Sequence, residues 1–187
     1  MLFRFFQNEL ALLETMAAAG EISLWFGDES GFNLNPHAMY AWQAPKAGFF
    51  VPAERTPILN ILGFVNAQQG REFYEFEGSM NSEMFIALVE DFIAKQVQQK
   101  TILVLDKASV HTSQVVKEKI GEWKKQNVWI QFLPSYSPEL NRIELVWKHI
   151  KHHWIAVADW LSLPKVREKI RYILQNFGTE YKIQFRT

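Results

Sequence analysis

Three carboxylates sit in stretches unlike ordinary solvated surface. Asp28 closely follows the apolar run Ile22-Ser23-Leu24-Trp25-Phe26, and Asp106 ends the run Thr101-Ile102-Leu103-Val104-Leu105. Glu144 lies beside Ile143 and Trp147 at the start of a helical stripe. A lone acidic residue is usually a helix cap or one end of a surface ion pair. Three carboxylates gathered from two strand ends and a helix would instead repel one another severely unless a cation neutralised them. Hard oxygen donors with few or no imidazoles suit Mg²⁺, with Mn²⁺ as a substitute. Two such ions ~4 Å apart would activate a water or a sugar 3′-hydroxyl and stabilise the leaving oxygen of an in-line phosphoryl displacement.

The elements that must position these groups can be read from periodicity. Residues 3–18 form a helix ending near Gly20, with Phe3, Phe5, Phe6, Leu10 and Leu13 as its apolar face against the core. Residues 22–26 form a strand that delivers Asp28 and Glu29 at its end. Residues 31–57, with Pro36, Pro45, Pro52 and Pro57, read as loop or irregular hairpin, with Trp42 a candidate contact for DNA or a second copy. Residues 58–65 and 71–76 are two further strands of an antiparallel meander. Asn81 or Ser82 caps a helix with Phe85, Leu88, Val89, Phe92, Ile93 and Val97 on one face. The continuous apolar run 101–105 is a strand covered on both faces. A helix over 113–125, a strand over 128–132, one long helix opened by Pro138 and a last helix begun by Ser162 and Pro164 complete the chain. The expected fold is α/β: a mixed five-stranded sheet, antiparallel meander plus parallel crossover strands, with helices on both faces.

These segments carry a resemblance. Trp25-Phe26-Gly27-Asp28-Glu29-Ser30-Gly31-Phe32, Leu105-Asp106-Lys107-Ala108-Ser109-Val110-His111 and Leu133-Pro134-Ser135-Tyr136-Ser137-Pro138-Glu139-Leu140-Asn141-Arg142-Ile143-Glu144 resemble the DDE-superfamily endonuclease domain of mariner-like insertion-sequence transposases over roughly residues 21–155. The resemblance implies a ribonuclease-H-like fold, Asp28, Asp106 and Glu144 as the metal-binding catalytic triad, and cleavage and strand transfer at transposon ends and target DNA. It also implies a homodimer when two DNA ends are paired. Residues 1–20 would be an N-terminal helix or linker remnant and 21–187 the catalytic domain. Nothing in 1–20 matches the helix-turn-helix domains that such transposases carry, so the expected chain is either a truncated or split element or a separately encoded catalytic half that works with a helix-turn-helix partner.

Around the triad, strand alternation lets only one of Asp28 and Glu29 face the site, so Glu29 stands behind it. His111 contacts a phosphate, supports the loop behind Asp106 or caps the next helix, and Asn141 braces the turn before Glu144. Two positions depart from the family pattern: Lys107 where Asn is usual, and Arg142 where Pro is usual. Lys107 would weaken ion binding or pair with Asp106 in the absence of metal. Arg142, Lys148, Lys151 and His152 can present cations to DNA on the side of Glu144, although a merely solvated face would look the same.

Composition bounds the alternatives. The 187 residues contain no Cys, which removes disulfides and thiolate chemistry, and no apolar run long enough for a membrane span. Residues 1–13, with Arg4 and Glu9, do not read as a signal peptide, so the expected location is the cytoplasm. The net charge of zero hides an asymmetry. Residues 1–100 carry 6 Lys and Arg against 12 Asp and Glu, and residues 101–187 carry 14 against 8. Either the two halves neutralise each other in the fold, or one region attracts polyanions. Three functions fit: a metal-dependent strand-transfer enzyme; an inactive relic or domesticated protein that binds DNA or a partner; and a free-standing nuclease of the same fold.

Overall fold

A computed structural model describes residues 2–34, 54–68 and 70–184. The core of the fold is a five-stranded sheet of order β3-β2-β1-β4-β5, formed by β1 (Ser23–Leu34), β2 (Glu54–Asn66), β3 (Arg71–Phe76), β4 (Thr101–Leu105) and β5 (Val128–Phe132). The first three strands form the antiparallel meander. β4 and β5 add in parallel, with Phe26 opposite Val104 and Leu105 opposite Phe132. This is the mixed sheet expected from the sequence. β4 is buried at all five residues because helices cover both of its faces.

On one face, α2 (Ser82–Gln96) and α3 (Gln114–Lys125) pack Phe85, Val89, Phe92, Val116 and Trp123 onto Trp25, Leu62, Phe64 and Leu103. On the other, α1 (Leu2–Ala18), α4 (Ile143–His149) and α5 (Leu163–Gln175) pack Leu10, Ile143, Trp147, Val166 and Ile170 onto Phe26, Phe32, Ile61 and Val104. The cap of α2 is Asn81, whose side chain accepts from the Met84 N–H at 2.8 Å. No helix among the described residues is long and apolar enough to cross a membrane.

Three sequence expectations need correction. β1 does not end near Phe26: it runs to Leu34, so Asp28 lies inside a strand, not at its tip. Its parallel pairing with β4 stops at Phe26, while its pairing with β2 continues through Asp28 opposite Gly63 and Glu29 opposite Leu62. Accordingly, residues 31–34 and 54–57, read as loop, are strand; Trp42 lies outside the described residues. The long helix expected from Pro138 is broken into a 3₁₀ turn (Pro138–Leu140), α4 and a π-helical turn (Ile150–Trp154). In α1, Phe3, Phe6, Leu10 and Leu13 follow the i, i+3, i+7, i+10 stripe and pack on the core, whereas Phe5 falls off it and is 61% exposed.

Candidate active site

Asp28, Asp106 and Glu144 line one cleft of about 380 Å³, together with Lys107, Ala108, the loop Leu133–Pro138 and Asn141. Each arrives by a different route. Strand alternation turns Asp28 toward the face covered by α4 and Glu29 toward the face covered by α2 and α3. Asp106 follows the end of β4, where the chain leaves the sheet. Glu144 stands in the first turn of α4, between the buried side chains of Ile143 and Val146.

A glycine sets how closely α4 approaches. A Cβ on Gly63, the residue opposite Asp28, would lie 2.8 Å from Ile143 Cδ1 and 2.8 Å from Trp147 Cη2. Its absence lets α4 settle directly over β1 and β2. Asn141 then ties the two carriers together: its buried side-chain amide donates to the Gly27 carbonyl at 3.1 Å, one residue before Asp28. The expected brace before Glu144 is thus a tether to β1, while the Asn141 Oδ1 is buried without a partner.

On the opposite face, His111 is fully buried beneath the site, stacked on Phe85 with ring centroids 4.4 Å apart. Its Nδ1 lies 2.7 Å from Asp106 Oδ1 and its Nε2 3.0 Å from Glu29 Oε1. Ionised carboxylates only accept, so both ring nitrogens must donate and the ring is an imidazolium. Burial opposes that charge, but the hydrogen bonds to Asp106 and Glu29 and the charges of both carboxylates prevail and push the His111 pKa up to about 10. The Asp106 carboxyl is correspondingly held below its ordinary range, chiefly by His111 and, against some burial, by the Ala108 N–H at 3.0 Å. His111 therefore supports Asp106 from behind, one of the roles open to it from sequence, and Glu29 holds His111.

Asp28 behaves in the opposite way. Burial first, then the charges of Glu144, Glu29 and Asp106, push its carboxyl up to about 8 against a stabilising Glu29 N–H. Burial and Asp106 also raise Glu144, opposed by Lys151. Lys151 is half-buried, its ammonium 5.3 Å from the Phe32 ring centroid and within the field of Glu144 and Asp28; burial lowers its pKa while those carboxylates resist. As the side chains stand, no three carboxylate or imidazole groups among the described residues are close enough to hold a metal ion. Uncompensated carboxylates keep apart, and Asp106 Oδ1 is already taken by His111.

The other cations are placed as follows. Lys107 is exposed at the rim of the cleft and has no ion-pair partner among the described residues, so the pairing with Asp106 considered from sequence is not formed; His111 holds that carboxylate. Arg142 is half-buried and paired with Glu14 of α1 through Nε at 2.6 Å and through Nη2. Lys148 is exposed along a groove of about 590 Å³ between α1 and α4, which adjoins the cleft at Pro138, Asn141 and Glu144. His152 is exposed in the π-helical turn. The features that sequence reasoning missed are Gly63 and the Glu29–His111 contact. Gly63 left no signal beyond a small residue within an apolar strand, and the contact joins residues 82 positions apart.

Comparison with known proteins is consistent with this geometry. A family model described as DDE superfamily endonuclease matches residues 23–167. An uncharacterized protein of Sinorhizobium fredii, y4pE/y4sA, is 34% identical over 55 residues, 29% of this chain and 36% of that one. Among solved structures, the Mos1 transposase paired-end complex with left transposon end matches with a TM-score of 0.65 at 15% identity, over 96% of this chain and 56% of that chain. The Mos1 mariner paired end complex with Mn matches with a TM-score of 0.64 at 16% identity, over 96% and 56%. The chain thus spans just over half the length of these solved chains. Identity this low speaks for the fold alone, which is the ribonuclease-H-like arrangement expected from the sequence.

Proposed function

The chain belongs to the DDE superfamily endonuclease family, and from that membership we propose that it is the catalytic domain of a transposase, a metal-dependent enzyme that cuts and rejoins DNA. The observation that carries the proposal is the meeting of Asp28, Asp106 and Glu144 in one cleft, with the Asp28 carboxyl pushed up to about 8. A half-buried acid crowded by three other carboxylates favours any bound positive charge. The oxygen-only donor set fits Mg²⁺ or Mn²⁺. Asp28, Asp106 and Glu144 would hold two such ions. When bound, they supply an activated oxygen nucleophile and stabilise the leaving oxygen at phosphorus.

The remaining residues have separable tasks. His111, fixed by Glu29, orients Asp106 and leaves its Oδ2 for the cleft. Asn141 holds the start of α4 to β1, so that Glu144 keeps its distance from Asp28. Lys151 offsets the charge of Asp28 and Glu144, and Lys148 and His152 offer cations to DNA phosphates. Arg142 can join them only by leaving Glu14. The substrates are transposon ends and target DNA. Residues 21–187 are the catalytic unit, dimerisation accompanies end pairing, and a helix-turn-helix module reads the terminal repeat. The protein works in the cytoplasm.

Nicking of supercoiled plasmid in Mn²⁺ tests the central claim. The wild-type chain should yield nicked circles and Asp106→Ala none; equal nicking by both, or none by either, rejects it. The exposed Lys107 beside Asp106 favours a second reading, in which the fold and DNA binding persist without turnover.

A further inference from the structure

The loop between β5 and the 3₁₀ turn contains an anomaly. Two non-glycine residues among those described have positive φ: Asn127 at 65° and Tyr136 at 57°. Asn tolerates the left-handed region because its short side chain bonds locally; a bulky aromatic gains nothing comparable there. Tyr136 is also 101% exposed, and it makes no hydrogen bond or ring contact with any described residue. Its neighbours are not loose. Leu133, Pro134, Ser137 and Leu140 are buried on either side, so the backbone that presents the ring is anchored at both ends. The fold therefore holds a strained, unsupported aromatic ring at the mouth of the cleft that contains Asp28, Asp106 and Glu144.

The setting of the ring says what it is for. The cleft beside it, of about 380 Å³, has room for one nucleotide unit next to the three carboxylates. A base that leaves the duplex stack beside a phosphodiester held near Asp28 loses its stacking neighbours. An exposed aromatic ring at the mouth is the surface on which such a base restacks, whatever its identity.

We propose that Tyr136 is a base-stacking post that receives an unpaired nucleotide beside the scissile phosphate. The inference rests on the reading of the chain as a DNA-cutting enzyme and specifies how that site takes its substrate: as locally melted DNA, with the ring and not the hydroxyl as the contact.

The test compares a duplex bearing a five-nucleotide single-stranded tail, with 2-aminopurine as the first unpaired base, against the blunt duplex of the same sequence. Binding is measured in Mg²⁺ on an Asp106→Ala background, so that no strand is cut. Tyr136→Ala should weaken the tailed duplex by about 10- to 100-fold, leave the blunt duplex within about twofold, and abolish the 2-aminopurine quench. Tyr136→Phe and Tyr136→Trp should retain both affinity and quench. The slope of log Kd against log salt should not change, because no phosphate contact is removed. The ring is fully exposed, so Tyr136→Ala should melt within a few degrees of its parent. If the tailed duplex binds Tyr136→Ala as tightly as its parent, the stacking role is rejected and the DNA enzyme reading stands. If the parent binds neither DNA at low salt, both are rejected.

Discussion

Replacing Asp28 by Asn keeps its shape and volume while removing the most strained ionisable group of the cleft. In the native protein the Asp28 carboxyl is pushed up to about 8, against an ordinary value of 3.8, by burial and by Glu144, Glu29 and Asp106. Between these two values the unfolded chain gives up the proton and the folded chain keeps it. The native state therefore binds more protons, and stability falls as pH rises. The loss begins near pH 4 and levels off above pH 8. At 1.36 kcal/mol per pH unit, the wild-type chain forfeits at most about 4 kcal/mol by pH 7. Asn cannot ionise in either state. Asp28→Asn should therefore match the wild type at pH 4 and exceed its stability by about 2–4 kcal/mol at pH 7 in chelator, by urea unfolding at both values. Adding Mg²⁺ should narrow the gap by stabilising only the wild type, by about 1.4 kcal/mol for each tenfold excess over Kd. A difference between the two proteins that does not change with pH, or a variant less stable than wild type at pH 7, would refute the account of the cleft as crowded negative charge.

Other perturbations address the supports around it. Gly63→Ala places a methyl group 2.8 Å from Ile143 and Trp147, so it should destabilise the fold by about 1–3 kcal/mol and reduce nicking by displacing α4. Gly121→Ala, in α3 with open space around it, should stabilise by about 0.5–1 kcal/mol in the same unfolding assay and leave nicking unchanged. His111→Phe keeps the ring on Phe85 but leaves Asp106 and Glu29 without their shared donor, and should cost about 3 kcal/mol at pH 6. The contribution of His111, with its pKa raised to about 10, is complete below about pH 6.5 and disappears as pH rises through about 10. The wild-type advantage in urea titrations should therefore shrink as pH rises across that window. Lys107→Asn should raise Mn²⁺-dependent nicking if the exposed ammonium beside Asp106 is what limits turnover, and unchanged nicking clears Lys107 of that role.

The meeting of Asp28, Asp106 and Glu144 in one cleft was legible because they border strong local signals. Asp106 ends an apolar run that becomes a fully buried strand, and Glu144 sits beside the stripe of Ile143 and Trp147. The course of β1 was not legible, because Gly27-Asp28-Glu29-Ser30-Gly31 lacks the apolar alternation of a strand. It is held extended by pairing with Phe64 through Asn60 of β2, a contact between distant segments that overrides local propensity. The break after Leu140 was hidden for a related reason. Leu140, Ile143, Trp147 and Ile150 all face the core as the stripe requires, but the Asn141 side chain bonds to Gly27 instead of lying idle within a continuous helix. Periodicity reports which face a residue takes, not whether the backbone between two such residues is regular.

The charge-bearing residues of the cleft are divided between the two faces of the sheet, and that division accounts for the opposite behaviour of the two aspartates. Glu29 and His111 lie on the α2 and α3 side, where the imidazolium lowers Asp106 and keeps it an open acceptor. Asp28 and Glu144 lie on the α4 side, where the nearby cation is the half-buried Lys151 and both carboxyls are raised. A cation entering the cleft therefore meets one carboxylate already prepared and two that gain by giving up protons or distance. Folding supplies the first through a buried hydrogen-bonded pair and sets the approach of the other two through Gly63 and Asn141, neither of which carries charge. Substitutions at these uncharged positions should accordingly disturb the cleft as strongly as many at the charged ones, because they govern how near Glu144 comes to Asp28.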